Sequence, residues 1–187
     1  MKRKDSALAI SFMFAAAVML LTAGPARAIK FVSHQSYVEE HNKGAAKFFK
    51  KAFALSDAEL ALLRDKCNIK EPEKTQSFIL GRTADGKITG AVFFITIYAT
   101  EHHCKHDMGI ALGPDGSVKD VTITEVECEY AMHCTSRSFL GQFAAKAKAF
   151  FAFNEDINGV TGATFSSRAI TDLVNFSIAA YKAHVLG

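Results

Sequence analysis

The run Asn158-Gly159-Val160-Thr161-Gly162-Ala163-Thr164-Phe165-Ser166-Ser167 limits the fold of this chain more than any other stretch. Two glycines and two threonines crowd into a tight turn, and an amphipathic pattern starts directly behind it. Ile170, Leu173, Val174, Ile178 and Tyr181 recur at helical spacing, which predicts a final helix with one apolar face. Such a face needs a layer to lie on. The turn itself brings flexible backbone, hydroxyls and the unpaired N–H groups of a helix start together, and those are the ingredients of a phosphate seat. Gly162 supplies backbone angles that other residues avoid, and Ala163 keeps the approach narrow. Thr161, Thr164, Ser166 and Ser167 offer hydroxyls. The same residue types also cap ordinary helices, and pattern alone does not separate the two uses.

The layer is legible upstream. Residues 77–83 and 88–98 are strand-like and flank Ala84-Asp85-Gly86-Lys87, a hairpin signal. The second of these runs is apolar without clean alternation, so it is predicted to be central and covered on both faces. Residues 108–112 and 117–127 follow, joined at Gly113-Pro114-Asp115-Gly116. Thr135 or Ser136 then caps a predicted helix carrying Phe139, Leu140, Phe143, Ala147 and Phe150; Phe150, Phe151 and Phe153 read as core. At the front, residues 29–76 read as a helical lead-in. Ala45, Phe48, Phe49, Ala52 and Phe53 suggest a helix over 39–54. Ser56-Asp57-Ala58-Glu59 is a capping box that opens a helix with Leu60, Leu63 and Cys67 inward, ended by Asn68 and Pro72. The expected class is α+β, an antiparallel β meander packed by helices.

Residues 1–28 read as a signal peptide: Met1-Lys2-Arg3-Lys4, an apolar run from 7 to 23, and a small-x-small cleavage site ending at Ala28. An uncleaved membrane anchor is the alternative. The expected location is periplasmic or otherwise extracytoplasmic. The whole chain carries +3, and Lys2, Arg3, Lys4 and Arg27 against Asp5 account for all of it, so the remainder is formally neutral. The basicity therefore belongs to targeting, and nucleic acid is not an expected partner.

A second unusual stretch is Glu101-His102-His103-Cys104-Lys105-His106, answered by Cys128 and by His133-Cys134. The chain has 7 histidines and 4 cysteines, and seven of these residues fall between 102 and 134. A hairpin centred between Pro114 and Asp115 sets Cys104 opposite Glu125 and Cys128 opposite Glu101. Three readings stay open. One is a disulfide joining Cys104 to Cys128 or Cys134, as export allows. Another is a metal site drawn from His102, His103, Cys104, His106, Cys128, His133 and Cys134. The third is a haem or other redox centre. No Cys-x-x-Cys-His is present, which argues against covalent c-type haem. Cys67 reads as a buried small hydrophobe, and His34, His41 and His184 as surface residues.

Residues 159–171, Gly-Val-Thr-Gly-Ala-Thr-Phe-Ser-Ser-Arg-Ala-Ile-Thr, closely resemble the FMN-binding domain family, whose members include components of the sodium-translocating NADH:quinone reductase and of the Rnf electron-transport complex. The 85–90 turn and strand, the 113–116 turn and Phe139-Leu140-Gly141-Gln142-Phe143 fall in the family's order. The resemblance implies an FMN-binding domain over 77–187. It implies that Thr161, Gly162, Ala163, Thr164, Ser166 and Ser167 surround the cofactor, and that a dedicated FMN transferase esterifies the flavin phosphate to Thr164. It further implies an electron-transfer flavoprotein rather than an enzyme with its own substrate. A membrane electron-transport complex or a cytochrome would be the partner. The family's motif carries an acidic residue six positions before the modified threonine; here Asn158 stands there and Asp156 lies two residues earlier, so non-covalent FMN is the alternative. Tyr98, Tyr130 and the phenylalanines are candidates to flank the flavin ring.

Overall fold

The computed structural model describes residues 29–98, 105–127, 134–146 and 148–187. Six strands and four α-helices follow in order: β1 (Ile29–Lys30), α1 (His34–His41), β2 (Lys47–Ala54), α2 (Asp57–Asp65), β3 (Thr75–Arg82), β4 (Ile88–Tyr98), β5 (Lys105–Leu112), β6 (Val118–Val126), α3 (Arg137–Ala145) and α4 (Thr164–Tyr181). A short π-helical turn, Lys182–Leu186, ends the chain. The strands form one antiparallel sheet in the order β1-β6-β5-β4-β3-β2. The α+β class expected from the sequence is the one observed.

Period-two alternation along β4 divides the sheet into its two sides. Ala91, Phe93 and Ile97 join the main core with α2, α3 and α4. Val92 and Phe94 face the other way, where Tyr37 and Val38 of α1 pack. β4 is thus central and covered on both faces, as its unbroken apolar run predicts. The final helix buries Ile170, Leu173, Val174, Ile178 and Tyr181. Two of its buried polar residues are satisfied within the helix: Thr171 and Ser177 donate to the carbonyls one turn back at 2.9 and 2.8 Å. Phe151 is core, but Phe150 is 64 % exposed.

Two expectations are corrected. The helix expected over 39–54 is instead the end of α1 followed by β2, which pairs with β3 from Lys47↔Arg82 to Ala54↔Thr75. Its phenylalanines fit either period over so short a run, and pairing with a long neighbouring strand decides in favour of β. The lead-in segment is therefore mixed rather than helical. The β5–β6 register also differs. Irregularities between Asp107 and Met108 and between Ala111 and Leu112 slide the pairing, so His106 faces Val126 rather than Ile123. The offset expected between Cys104 and Cys128 no longer follows; both cysteines lie outside the described residues.

Candidate functional site

The turn before α4 is held from three directions. From α3, the Gln142 side chain makes two bonds to one backbone unit: Nε2 donates to Asn158 O at 3.1 Å, and Oε1 accepts from Asn158 N at 2.9 Å. From α4, Ser167 Oγ accepts from Val160 N at 3.1 Å and donates to Ala163 O at 2.9 Å. Within the turn, Ala163 N donates to Val160 O at 2.9 Å. Gly162 sits at φ +80 with open space where a Cβ would go, so backbone conformation alone demands glycine. Gly159 answers a different need, because a Cβ there would stand 2.7 Å from Phe153 Cζ.

Among the described residues no side chain caps the start of α4. Its N-cap is Ala163, with no side-chain cap bond. Thr164 occupies the first helical position and is exposed. The hydroxyls that read as caps in sequence are used otherwise: Ser167 pins the turn, and Ser166 is buried. An uncapped first turn carries partial positive charge and favours an anion by roughly 0.3–1 kcal/mol. One turn along, the Arg168 guanidinium lies over the Phe153 ring at 5.3 Å. A residue four places after Thr164 shares its helix face, so this cation stands on the same side as the Thr164 hydroxyl.

Asp156 does not serve the turn. Its carboxylate accepts Ala152 N at 2.9 Å and pairs with Lys148, and Lys146 donates to its carbonyl. The Ala152 N–H, followed by Lys148, holds the carboxyl below its ordinary range. Asn158 therefore has no acidic stand-in from Asp156.

The seat lies at a definite end of the sheet. Tyr181 Oη donates to Pro114 O at 3.2 Å, fixing the helix C-terminus near the β5–β6 turn. Midway, burial, helped by the Asp172 charge, raises the Cys67 thiol, and Asn68, next to Cys67, donates to Tyr98 O at the end of β4. The helix start lies ~12 Å farther on, on the side where β4 ends and β5 begins.

Of the Cys/His cluster, His102, His103, Cys104, Cys128 and His133 lie outside the described residues, as does Tyr130. His106 is fully buried on β5. Cys134 lies under the turn, 1 % exposed, its Sγ 4.0 Å from Ala163 O. Burial pushes this thiol up, opposed by hydrogen bonds with Ser167 and Ser166. Cys134 is a free thiol here, and its sulfur faces the turn backbone; Cys104 and Cys128, the other members of the disulfide reading, lie outside the described residues. Cys67 is also free, and burial pushes it up to about 12. Among the described residues no group of three or more His, Cys, Asp or Glu side chains is arranged to hold a metal. A cleft of about 510 Å³ opens on the α1 side of the sheet, lined by His34, Phe94, Thr96, Tyr98 and Asp107 among others; it shares no lining residue with the turn. Tyr98 belongs to that cleft.

The FMN-binding domain matches residues 76–179. The chain belongs to the FMN-binding domain family. One solved structure that it resembles is that of Shewanella oneidensis NqrC, at 14 % identity, a TM-score of 0.51, and coverage of 83 % of this chain and 92 % of that one. That likeness concerns the fold. No curated protein matches the chain. Within the matched span lie the turn, all but the last two residues of α4, and Gln142. The Gln142 clamp and the Arg168–Phe153 pair were not legible as site features, because their partners are backbone atoms and a ring far along the chain.

Proposed function

We propose that this chain is an exported flavoprotein that carries FMN on Thr164 and relays electrons between extracytoplasmic redox partners. One observation carries the reading: the helix behind the family's turn starts uncapped, with an exposed threonine at its first position. The residues fit the group. Gly162 leaves open space at the turn, the first helical turn favours negative charge, and Arg168 offers a compensating cation on the same face.

In this reading an FMN transferase would join the Thr164 oxygen to the flavin phosphate from an activated FMN donor, whose phosphoanhydride bond breaks as its other half leaves and the hydroxyl proton goes to solvent. Arg168 and the helix start hold the phosphate, while Ser167 and Gln142 keep the turn rigid. Phe165, 58 % exposed beside Thr164, offers apolar surface. FMN supplies the reversible electron chemistry when bound, and the protein supplies position and potential. Asn158 removes an acid that the family's acceptor motif carries, so a non-covalent cofactor on the same seat is the rival form. The partners are a membrane electron-transport complex or a cytochrome. Residues 1–28 direct export, with cleavage after Ala28, or stay as an anchor. Among the described residues no helix is long and apolar enough to cross a membrane.

The deciding experiment is an absorption spectrum and an intact mass on protein from the extracytoplasmic fraction. Flavin absorption with one FMN added at Thr164 is expected. A flavin-free protein holding stoichiometric metal or haem would overturn the flavin reading in favour of the Cys/His cluster.

A further inference from the structure

Strand β2 lies at one margin of the sheet, and β3 is its neighbour. Leu55 N donates to Lys74 O at 2.8 Å, and bonded pairs alternate along an antiparallel ladder. Parity therefore gives the bonds with β3 to Lys47, Phe49, Lys51 and Phe53. It turns the N–H and C=O groups of Phe48, Lys50, Ala52 and Ala54 outward. Only Phe53 of the eight β2 residues is buried. Phe48 and Phe49, on opposite faces, are 46 % and 47 % exposed.

The charge of this margin is one-sided. Residues 42–54 contain Lys43, Lys47, Lys50 and Lys51 and no acid, although the chain beyond the targeting segment is formally neutral. Arg82 adds a fifth cation, stacked over Phe49 at 5.6 Å. Lysines on an open strand ordinarily deter pairing between copies. They do so here: two β2 strands paired near their common centre through these outward groups would set Lys50 against Lys50 or Lys51 against Lys51. Deterrence alone does not explain two half-exposed phenylalanines on the same strand, which a merely protected margin would avoid.

We propose that the β2 edge binds an extended acidic segment of a partner protein, which adds to the sheet as a further antiparallel strand. The outward backbone groups of Phe48, Lys50, Ala52 and Ala54 form the ladder. The lysines pair with acidic side chains, and Phe48 and Phe49 take apolar ones. The lysines thus reject a second copy and admit an acidic strand. Phe48 and Phe49 pair with Gly81 and Leu80, which face Gly90 and Ala91 at the start of β4. This is the end of the sheet away from α4's start, and the ladder runs from there to Ala54, opposite Thr75. The proposal does not depend on the flavin reading.

The test uses the full chain as the cell makes it and a capped eight-residue peptide of alternating Glu and Val. Titration followed by amide NMR should move the β2 and β3 resonances, and affinity should fall as salt screens the charges. Lys50→Pro removes one outward donor at a position where a margin strand tolerates proline, and should abolish binding while leaving the β2–β3 ladder intact. Lys50→Glu with Lys51→Glu should weaken binding by about tenfold or more. An alternating Lys and Val peptide should not bind. Absence of peptide binding, or binding that leaves β2 amides unmoved, overturns the proposal. So does self-association through β2, or recruitment to vesicles of anionic phospholipid with no response to the peptide.

Discussion

Two helices of this domain begin in opposite ways. α2 closes its own N-terminus: Ser56 Oγ accepts from Glu59 N at 3.3 Å, and Glu59 Oε2 accepts from Ser56 N at 2.8 Å. α4 starts behind a turn richer in hydroxyls, yet among the described residues no side chain caps it. Ser167, at its fourth position, bonds back to the turn instead. In α2 the polar side chains satisfy the helix. In α4 they shape the loop and leave the first turn to something else. A sequence rich in Ser and Thr at a helix start therefore means little until the direction of each hydroxyl is known.

The comparison breaks most sharply at Thr164. If the open start exists to hold a tethered phosphate, Thr164→Val should remove all covalently attached flavin while the fold is kept, because the side chain is exposed. Intact mass and visible absorption read both outcomes. Wild-type protein from cells with an active transferase that shows an unmodified mass would end the covalent reading and leave only the non-covalent form.

Next is the turn itself. Ser167 is fully buried, and Ser167→Ala would strand Val160 N and free Ala163 O from its hydroxyl partner. A lost buried bond of this kind costs roughly 1–3 kcal/mol. Denaturant unfolding should show that loss together with reduced flavin content. The matching change in α2, Ser56→Ala, should cost about 1 kcal/mol and leave flavin content untouched. Equal flavin loss in both variants would mean that the α4 start depends on global stability and not on its own turn.

The sequence and the structure agree where one period dominates. The α4 stripe, the α2 capping box, the 84–87 hairpin and the doubly covered β4 were all readable, because each is local or spans one element. β2 was not: Phe48, Phe49, Ala52 and Phe53 satisfy a helical count, and only β3, more than twenty residues away, settles the matter. The β5–β6 slide was hidden for a related reason. A turn fixes register only near itself, and two irregularities farther along carried His106 to Val126. At the site, the turn was legible as a seat, but not the roles within it. Ser167 reads as a ligand residue and acts as a brace, and Gln142 clamps Asn158 through backbone atoms that no side-chain pattern announces.

The smallest expected effect concerns the loop that leads into the turn. Asp156 is held below its ordinary value near 3.8 by the Ala152 N–H and Lys148. A carboxyl depressed in the folded state contributes stability that is present above its unfolded value, and that contribution is lost as pH falls through the folded one. The loop should therefore be tight at neutral pH and loosen only below about pH 4. Exposure and solvent screening keep the effect on global stability slight. The protection factor of the Ala152 amide, its exchange relative to the intrinsic rate at the same pH, is the sensitive readout: it should fall in acid in the wild type and be low at every pH in Asp156→Ala. Because Asn158 is held by Gln142 rather than by Asp156, flavin content should be the same in both proteins. A loss of flavin in Asp156→Ala would show that this carboxylate, two residues out of the family's place, supports the seat after all.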